Sequence, residues 1–447
     1  MPPCSHSITF RENDEPRNNF IMVLGAASME KPARLVTVAE GEPRVISLLE
    51  IAKTFLHIGL VSYSLAALGE AKKDLVEKKN WLTDEQYLKG VALSQLLPGA
   101  PTVNLNSYIG YFLRGFPGSL IGCITFVLPC FIEMVILTHL YLNYNDIPMI
   151  SSLFRGIGAL VVGLVLNTII NLWKSGVNSV QLSVLAVGGF VMVYILSVSI
   201  VPLLLVAGGV SLLFAILTAR CPGWKTIMDR RFWTAGRPVR RDVSAIRFRF
   251  SKARYLTMLV MLAGLLAVNF AVNFSNPTFQ QLGNTLFKIG GLTFGSGYAM
   301  LPFIQDNFVN QYHWLSEQEF GVALALSLIT SGPVTVVSAF VGYKVAGIFG
   351  AALAMANMYL PAFAVVNMIA DLYNRAGEVE SVKLVVGGVV AAFIGTLWVV
   401  IIRLATSSLV DLPTCGIALA AFLVQRFTKT DTLWIVVGGA VVSLLIF

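Results

Sequence analysis

The sequence predicts an all-α polytopic membrane protein built from two homologous helical repeats, and three observations predict it. Hydrophobic residues make up 56% and charged residues 13% of the 447 residues, roughly half the charged share of a soluble protein. Apolar stretches recur at 120–140, 156–173, 180–218, 255–274, 346–370, 384–404 and 432–447, most of them near or above the ~20 residues that cross ~30 Å of hydrocarbon as a helix. One pattern also occurs twice. Residues 55–129 read FLHIGL…NWLTDEQY…LLPGAP…YIGYFLRGFPGSL…LP, and residues 287–361 read FKIGGLTF…HWLSEQEF…ITSGP…FVGYKVAGIFGAAL…LP. Phe55 matches Phe287, Trp81 matches Trp314, Gly99 matches Gly332, Gly110 matches Gly342 and Pro129 matches Pro361, at a spacing of about 232 residues. Duplication in a membrane chain usually builds a pathway between two halves.

Helices follow from the requirement that backbone polar groups be satisfied internally in lipid, and the alternating pattern of a membrane barrel is absent. Residues 1–46 are polar and hold five prolines. They read as a flexible tail without a cleavable signal peptide. Repeat 1 covers 47–218. A basic linker follows at 219–254, with eleven Lys or Arg against Asp229 and Asp242. That excess, 11 − 2 or +9, accounts for the whole net charge of the chain, +8, and the positive-inside rule puts the segment in the cytoplasm. Repeat 2 covers 255–447 and opens with an extra helix at 255–274.

The loop after the first element of repeat 1 carries Lys72, Lys73, Lys78 and Lys79, whereas no Lys or Arg lies between Lys288 and Lys344. By the same rule the first loop is inside and the second outside, so the repeats are inverted. Parity agrees if the glycine-rich element FKIGGLTFGSGYAMLP is re-entrant; if it crosses fully, the repeats are parallel. The pairs Asp84/Glu85 and Glu317/Glu319 follow Trp-Leu-Thr/Ser and read as first-turn acids of helices capped by Thr83 and Ser316.

Three constellations could carry chemistry. The first is a helix–break–helix in each repeat, Pro98-Gly99-Ala100-Pro101 and Thr330-Ser331-Gly332-Pro333. A half-helix N-terminus inside a membrane offers backbone N–H groups and a dipole suited to an anion. Thr102, Asn104 and Asn106 after the first break, and Thr335 after the second, add neutral polar groups. A simple proline kink is the competing reading. The second is Lys288, beside Gly290, Gly291, Gly295 and Gly297. A lysine in an apolar element is a functional hypothesis by default, although it can also snorkel to an interface. Its repeat partner by matching is Leu56, next to His57. The third is Glu133, deep in an apolar run. It could relay a proton or pair with His139 or a backbone donor; repeat 2 has Val365 there.

The five cysteines are scattered and form no metal or disulfide motif. The phosphate loop GxxxxGK[ST] does not occur, which disfavours an ATP-driven pump or a phosphoryl-transfer enzyme. No nucleic-acid motif is present.

At these residues the chain resembles the chromate ion transporter family. The blocks LLPGAP…YIGYFLRGFPGSL…LP and FKIGGLTFGSGYAMLP…WLSEQEF…SGP…FVGYKVAGIFGA…LP are similar to its two halves, over about 75 residues each. The resemblance implies a two-domain secondary transporter of a small inorganic oxyanion, chromate or sulfate, with no enzyme activity and no cofactor. The chain departs from the family pattern at Ser62-Tyr63-Ser64-Leu65-Ala66, at Ala100 and at Ser296. The expected substrate-binding set is Lys288, Gly295, Gly297, Pro98, Gly99, Thr102, Asn104, Thr330, Ser331, Gly332 and Pro333, with Glu133 as proton relay. Expected partners are the oxyanion, the lipid bilayer (the plasma membrane favoured) and a second copy in a homodimer. A carrier of another small solute or cation, and a non-transporting scaffold or receptor, are the alternatives.

Overall fold

Pro/Gly breaks divide each repeat into short half-helices followed by long ones. A computed structural model describes residues 46–62, 67–144, 148–177, 179–196, 198, 200–220, 252–294, 297–376, 380–428, 430 and 432–447. The tail 1–46, except Ile46, and all of the basic linker but its two ends lie outside the described residues, as does Gly295. Repeat 1 runs α1 (Leu48–Val61), α2 (Ala67–Lys72) with a π-helical turn (Lys73–Lys78), α3 (Asp84–Leu96), α4 (Pro101–Tyr144), α5 (Pro148–Gly176), α6 (Val180–Tyr194) and α7 (Ile200–Arg220). The extra helix α8 (Lys252–Asn273) precedes α9 (Pro277–Leu292). A 3-10 turn (Gly297–Met300), α10 (Leu301–Ile304) and a second π turn (Gln305–Gln311) follow. Then come α11 (Glu317–Ile329), α12 (Val337–Ala376), α13 (Glu380–Ser408), α14 (Leu412–Phe427) and α15 (Thr432–Ile446). Five helices among the described residues are long and apolar enough to cross a membrane.

Both capping boxes form as expected. Thr83 Oγ1 accepts from the Gln86 amide while Gln86 accepts from the Thr83 amide, and Ser316 and Glu319 repeat the arrangement. These caps fix where α3 and α11 enter the bundle.

α4 and α12 are each two arms. Gly115 (φ 67°) and Gly347 (φ 62°) leave helical geometry, and the arms fold back on themselves. In a straight helix residues eight apart are ~12 Å distant. Here a Cβ on Gly110 would lie 2.3 Å from the Gly118 carbonyl oxygen, and one on Gly342 2.3 Å from that of Gly350. These glycines exist for that approach. A hydrogen bond of 2.8 Å between the Ser107 and Ser119 hydroxyls closes the first hairpin.

The repeats are inverted. α5 and α13, the same helix in each repeat, run antiparallel: Gly158 lies against Ser408, and Gly176 against Val390 and Ile394. The repeats also exchange their last two helices. α5 packs on α14 and α15, and α13 packs on α6 and α7. Small residues mediate the contacts, with Gly163 against Ala418 and Gly395 against Ala186, as is usual where lipid supplies no hydrophobic drive.

One sequence matching is corrected by a residue. Gly59 abuts the Phe126 carbonyl and Gly290 that of Met358, and these two carbonyls are 232 residues apart whereas the glycines are 231 apart. The buried stripe Ile51, Phe55, Ile58 therefore corresponds to Leu282, Leu286, Ile289. Phe55 matches Leu286, not Phe287, and Lys288 matches His57, not Leu56.

Candidate functional site

Each of the two breaks pairs with the other repeat. α3 ends at Leu96, and Gly99 adopts φ +92°, a left-handed conformation that favours glycine. The Gly99 amide donates to the Thr293 carbonyl at 2.7 Å, and Pro98 bridges Phe294. In repeat 2, Gly332 has φ +88°, and its amide donates to the Ser62 carbonyl at 2.6 Å. The exchange is reciprocal, as a pseudo-twofold requires. Loops at this depth are tolerated because protein, not lipid, satisfies them.

What surrounds the breaks differs. Asn104 folds back on the first loop and donates to the Pro98 carbonyl (2.7 Å) and the Ser94 carbonyl (3.3 Å). Asn106 donates to the Thr102 carbonyl at 2.8 Å. The first-turn amides of Thr102 and Val103 have no intrahelical acceptor. Thr102 Oγ1, Asn104 Oδ1, Asn106 Oδ1 and Ser62 Oγ are buried with no hydrogen-bond partner among the described residues. Buried polar atoms without partners are rare enough to call for an explanation.

The second break is occupied. Glu133, from the long arm of α4, accepts from the Ser331 amide at 2.6 Å and from the Ser331 hydroxyl at 3.1 Å. Of the two pairings open to it, the backbone donor holds; His139 instead bonds Tyr343 Oη at 2.7 Å. Thr330 donates to the Ser327 carbonyl, Pro333 starts the 3-10 turn Val334–Val336, and Thr335 shares a 2.7 Å hydrogen bond with Tyr359. Gly297 sits beside Val334 and Thr335. The equivalent of Glu133, Val365, leaves the first break without a carboxylate.

Of the residues picked from sequence, the breaks, Glu133 and Gly297 cluster here. Lys288 does not join them. It is exposed on α9 and lines a separate cavity with Asn307, Gln311 and Tyr312. Ser62 and Tyr359 are not in the expected binding set; the place of Ser62 at the start of a changed stretch was the available signal. No cluster of three or more metal-ligating side chains occurs among the described residues.

The chromate transporter family profile matches residues 49–213 and 280–444. A chromate transport protein of Cupriavidus metallidurans is 31% identical over 90% of this chain and 94% of its own length. A probable chromate transport protein of Synechococcus elongatus is 29% identical over 84% of this chain and 89% of its own. An uncharacterized transporter of Methanocaldococcus jannaschii is 25% identical over 90% and 94%. No solved structure matches. With two matched repeats, paired breaks and apolar spans, the chain is a multi-pass integral membrane protein and belongs to the chromate transporter family.

Proposed function

We propose that the protein moves a small tetrahedral oxyanion, chromate or sulfate, and that the paired breaks bind it. The observation that carries this reading is the Glu133 carboxylate on the Ser331 amide and hydroxyl. A carboxylate held by a backbone N–H at a helix break marks that break as a place for anionic oxygen. The first break keeps the left-handed glycine turn, has Pro98 in place of the Ser331 donor, lacks the carboxylate, and leaves the Thr102 hydroxyl without a partner among the described residues. A substrate oxyanion there accepts from Thr102 Oγ1 and the first-turn amides, in a site where charge-assisted hydrogen bonds are strong.

The inverted halves rock about this centre and expose it to one face, then the other. Glu133 carries the proton in this scheme. Protonated, it gives up its charge-assisted bonds and frees the Ser331 donors for the anion; ionised, it reclaims them.

The test is uptake into liposomes holding the purified full-length chain. Chromate flux should saturate, sulfate should compete, and Thr102→Ala should slow flux at least about tenfold, the loss of one hydrogen bond to a charged group. Unsaturable flux, or flux indifferent to Thr102, would sink the reading, and flux of neutral solutes or cations alone would favour another cargo.

A further inference from the structure

Each repeat sets its first half-helix beside the π turn that lies between it and the break. In repeat 1 this place is filled from within. Asp74, its side chain 4% exposed, accepts from Lys78 Nζ at 2.6 Å and lies 3.6 Å from His57 Nε2. Backbone features fix the matching positions in repeat 2. Asn80 and His313 close the two π turns with the same φ of 52°. The Lys79 amide donates to the Asp74 carbonyl as the Tyr312 amide does to that of Asn307. Asn307 therefore stands for Asp74 and Gln311 for Lys78. With the corrected register of α9, Lys288 stands for His57 and Thr285 for Thr54.

The substitution removes a carboxylate and leaves a cation. Thr285, Lys288, Asn307, Gln311 and Tyr312, together with three apolar side chains, line a cavity of about 170 Å³. Thr285 Oγ1 and Tyr312 Oη lie 3.3 Å apart, and the Asn307 amide donates to the Phe303 carbonyl at 2.8 Å. No carboxylate among the described residues pairs with Lys288. The exposed Lys288 ammonium at the edge of the cavity, with amide and hydroxyl groups beside it, complements an anion.

We propose that this cavity binds a small oxyanion in the place that the Asp74 carboxylate takes in repeat 1. Lys288 precedes the Thr293 carbonyl, which receives the Gly99 amide, by five residues, about 7.5 Å of helix. The cavity is therefore a waiting position between one face and the central breaks. That the occupant is the transported ion rests on the transport reading; that an anion binds does not.

Radiolabelled sulfate and chromate binding to the full-length protein in lipid nanodiscs tests it by stoichiometry. The wild type should bind two anions per chain. Lys288→Gln, a change at an exposed side chain, and Asn307→Asp, which restores a resident carboxylate, should each bind one, and Lys288→Arg should bind two. In liposomes, Lys288→Gln should raise KM at least about tenfold, the cost of a lost charged hydrogen bond, and by more than it lowers kcat. Wild-type stoichiometry and KM in both Lys288→Gln and Asn307→Asp would overturn the proposal, as would a wild type that binds none. Thr102→Ala separates the two sites: if it still binds two anions, the central reading fails and this one stands.

Discussion

At the break of repeat 2 the Ser331 amide and hydroxyl hold Glu133; at the break of repeat 1 Val365 stands where that carboxylate would be, and Thr102 Oγ1 is buried without a partner among the described residues. At the half-helix and π turn the roles reverse. Repeat 1 carries Asp74 between His57 and Lys78, and repeat 2 has the Lys288 cavity. Each repeat fills one of these two places with its own carboxylate and leaves the other open. At the π turn the filled copy shows what the open copy accommodates; at the first break Pro98, which has no N–H, stands where Ser331 donates in repeat 2, so the donors there are the Thr102 hydroxyl and the first-turn amides.

The largest effects should come from the backbone the repeats share. A Cβ on Gly99 would lie 2.5 Å from the Ala362 Cβ at a φ of +92°. Strain and overpacking together should cost Gly99→Ala ~2–5 kcal/mol and its transport. Gly332→Ala, whose Cβ would lie 3.0 Å from Cys130 Sγ, should cost less, and Cys130→Ala should recover part of the loss. Thermal unfolding in detergent reads both, and equal costs unaffected by Cys130 would break the comparison.

Next in size is Glu133→Gln. Losing the charge-assisted pair should cost ~1.5–3 kcal/mol at the second break and leave flux indifferent to an imposed pH gradient. Val365→Gln, at the matching place, should not alter the pH response. A pH-responsive Glu133→Gln would remove the proton from the scheme.

The smallest effects are where the repeats agree. Thr83→Ala and Ser316→Ala each remove one capping box and should each cost ~1 kcal/mol in unfolding with little change in flux. Unequal costs would show that the two entry helices are not equivalent.

Much of this was legible in the sequence, for reasons that are local. Thr83 and Ser316 announce their helices through contacts three residues apart, and Gly99 and Gly332 announce breaks because little else adopts those angles. The inversion followed from where Lys72 to Lys79 lie. The rest depended on contacts the chain makes at long range. Glu133 reaches Ser331 across 198 residues, and α5 chooses α14 and α15 over its own neighbours. The register of α9 was misread because identity at Phe55 and Phe287 outweighed burial. Phe287 is only partly buried, while the spacing of Leu282, Leu286 and Ile289 repeats that of Ile51, Phe55 and Ile58.

The claim that the open break of repeat 1 is where the anion sits is tested most directly by filling it. Val365→Glu places a resident carboxylate against that break, as Glu133 does in repeat 2. Saturable chromate flux into liposomes should be present in the wild type and lost in Val365→Glu, with the variant's circular dichroism and sulfate binding at the Lys288 cavity retained. A folded Val365→Glu that carries chromate at the wild-type rate would contradict the account.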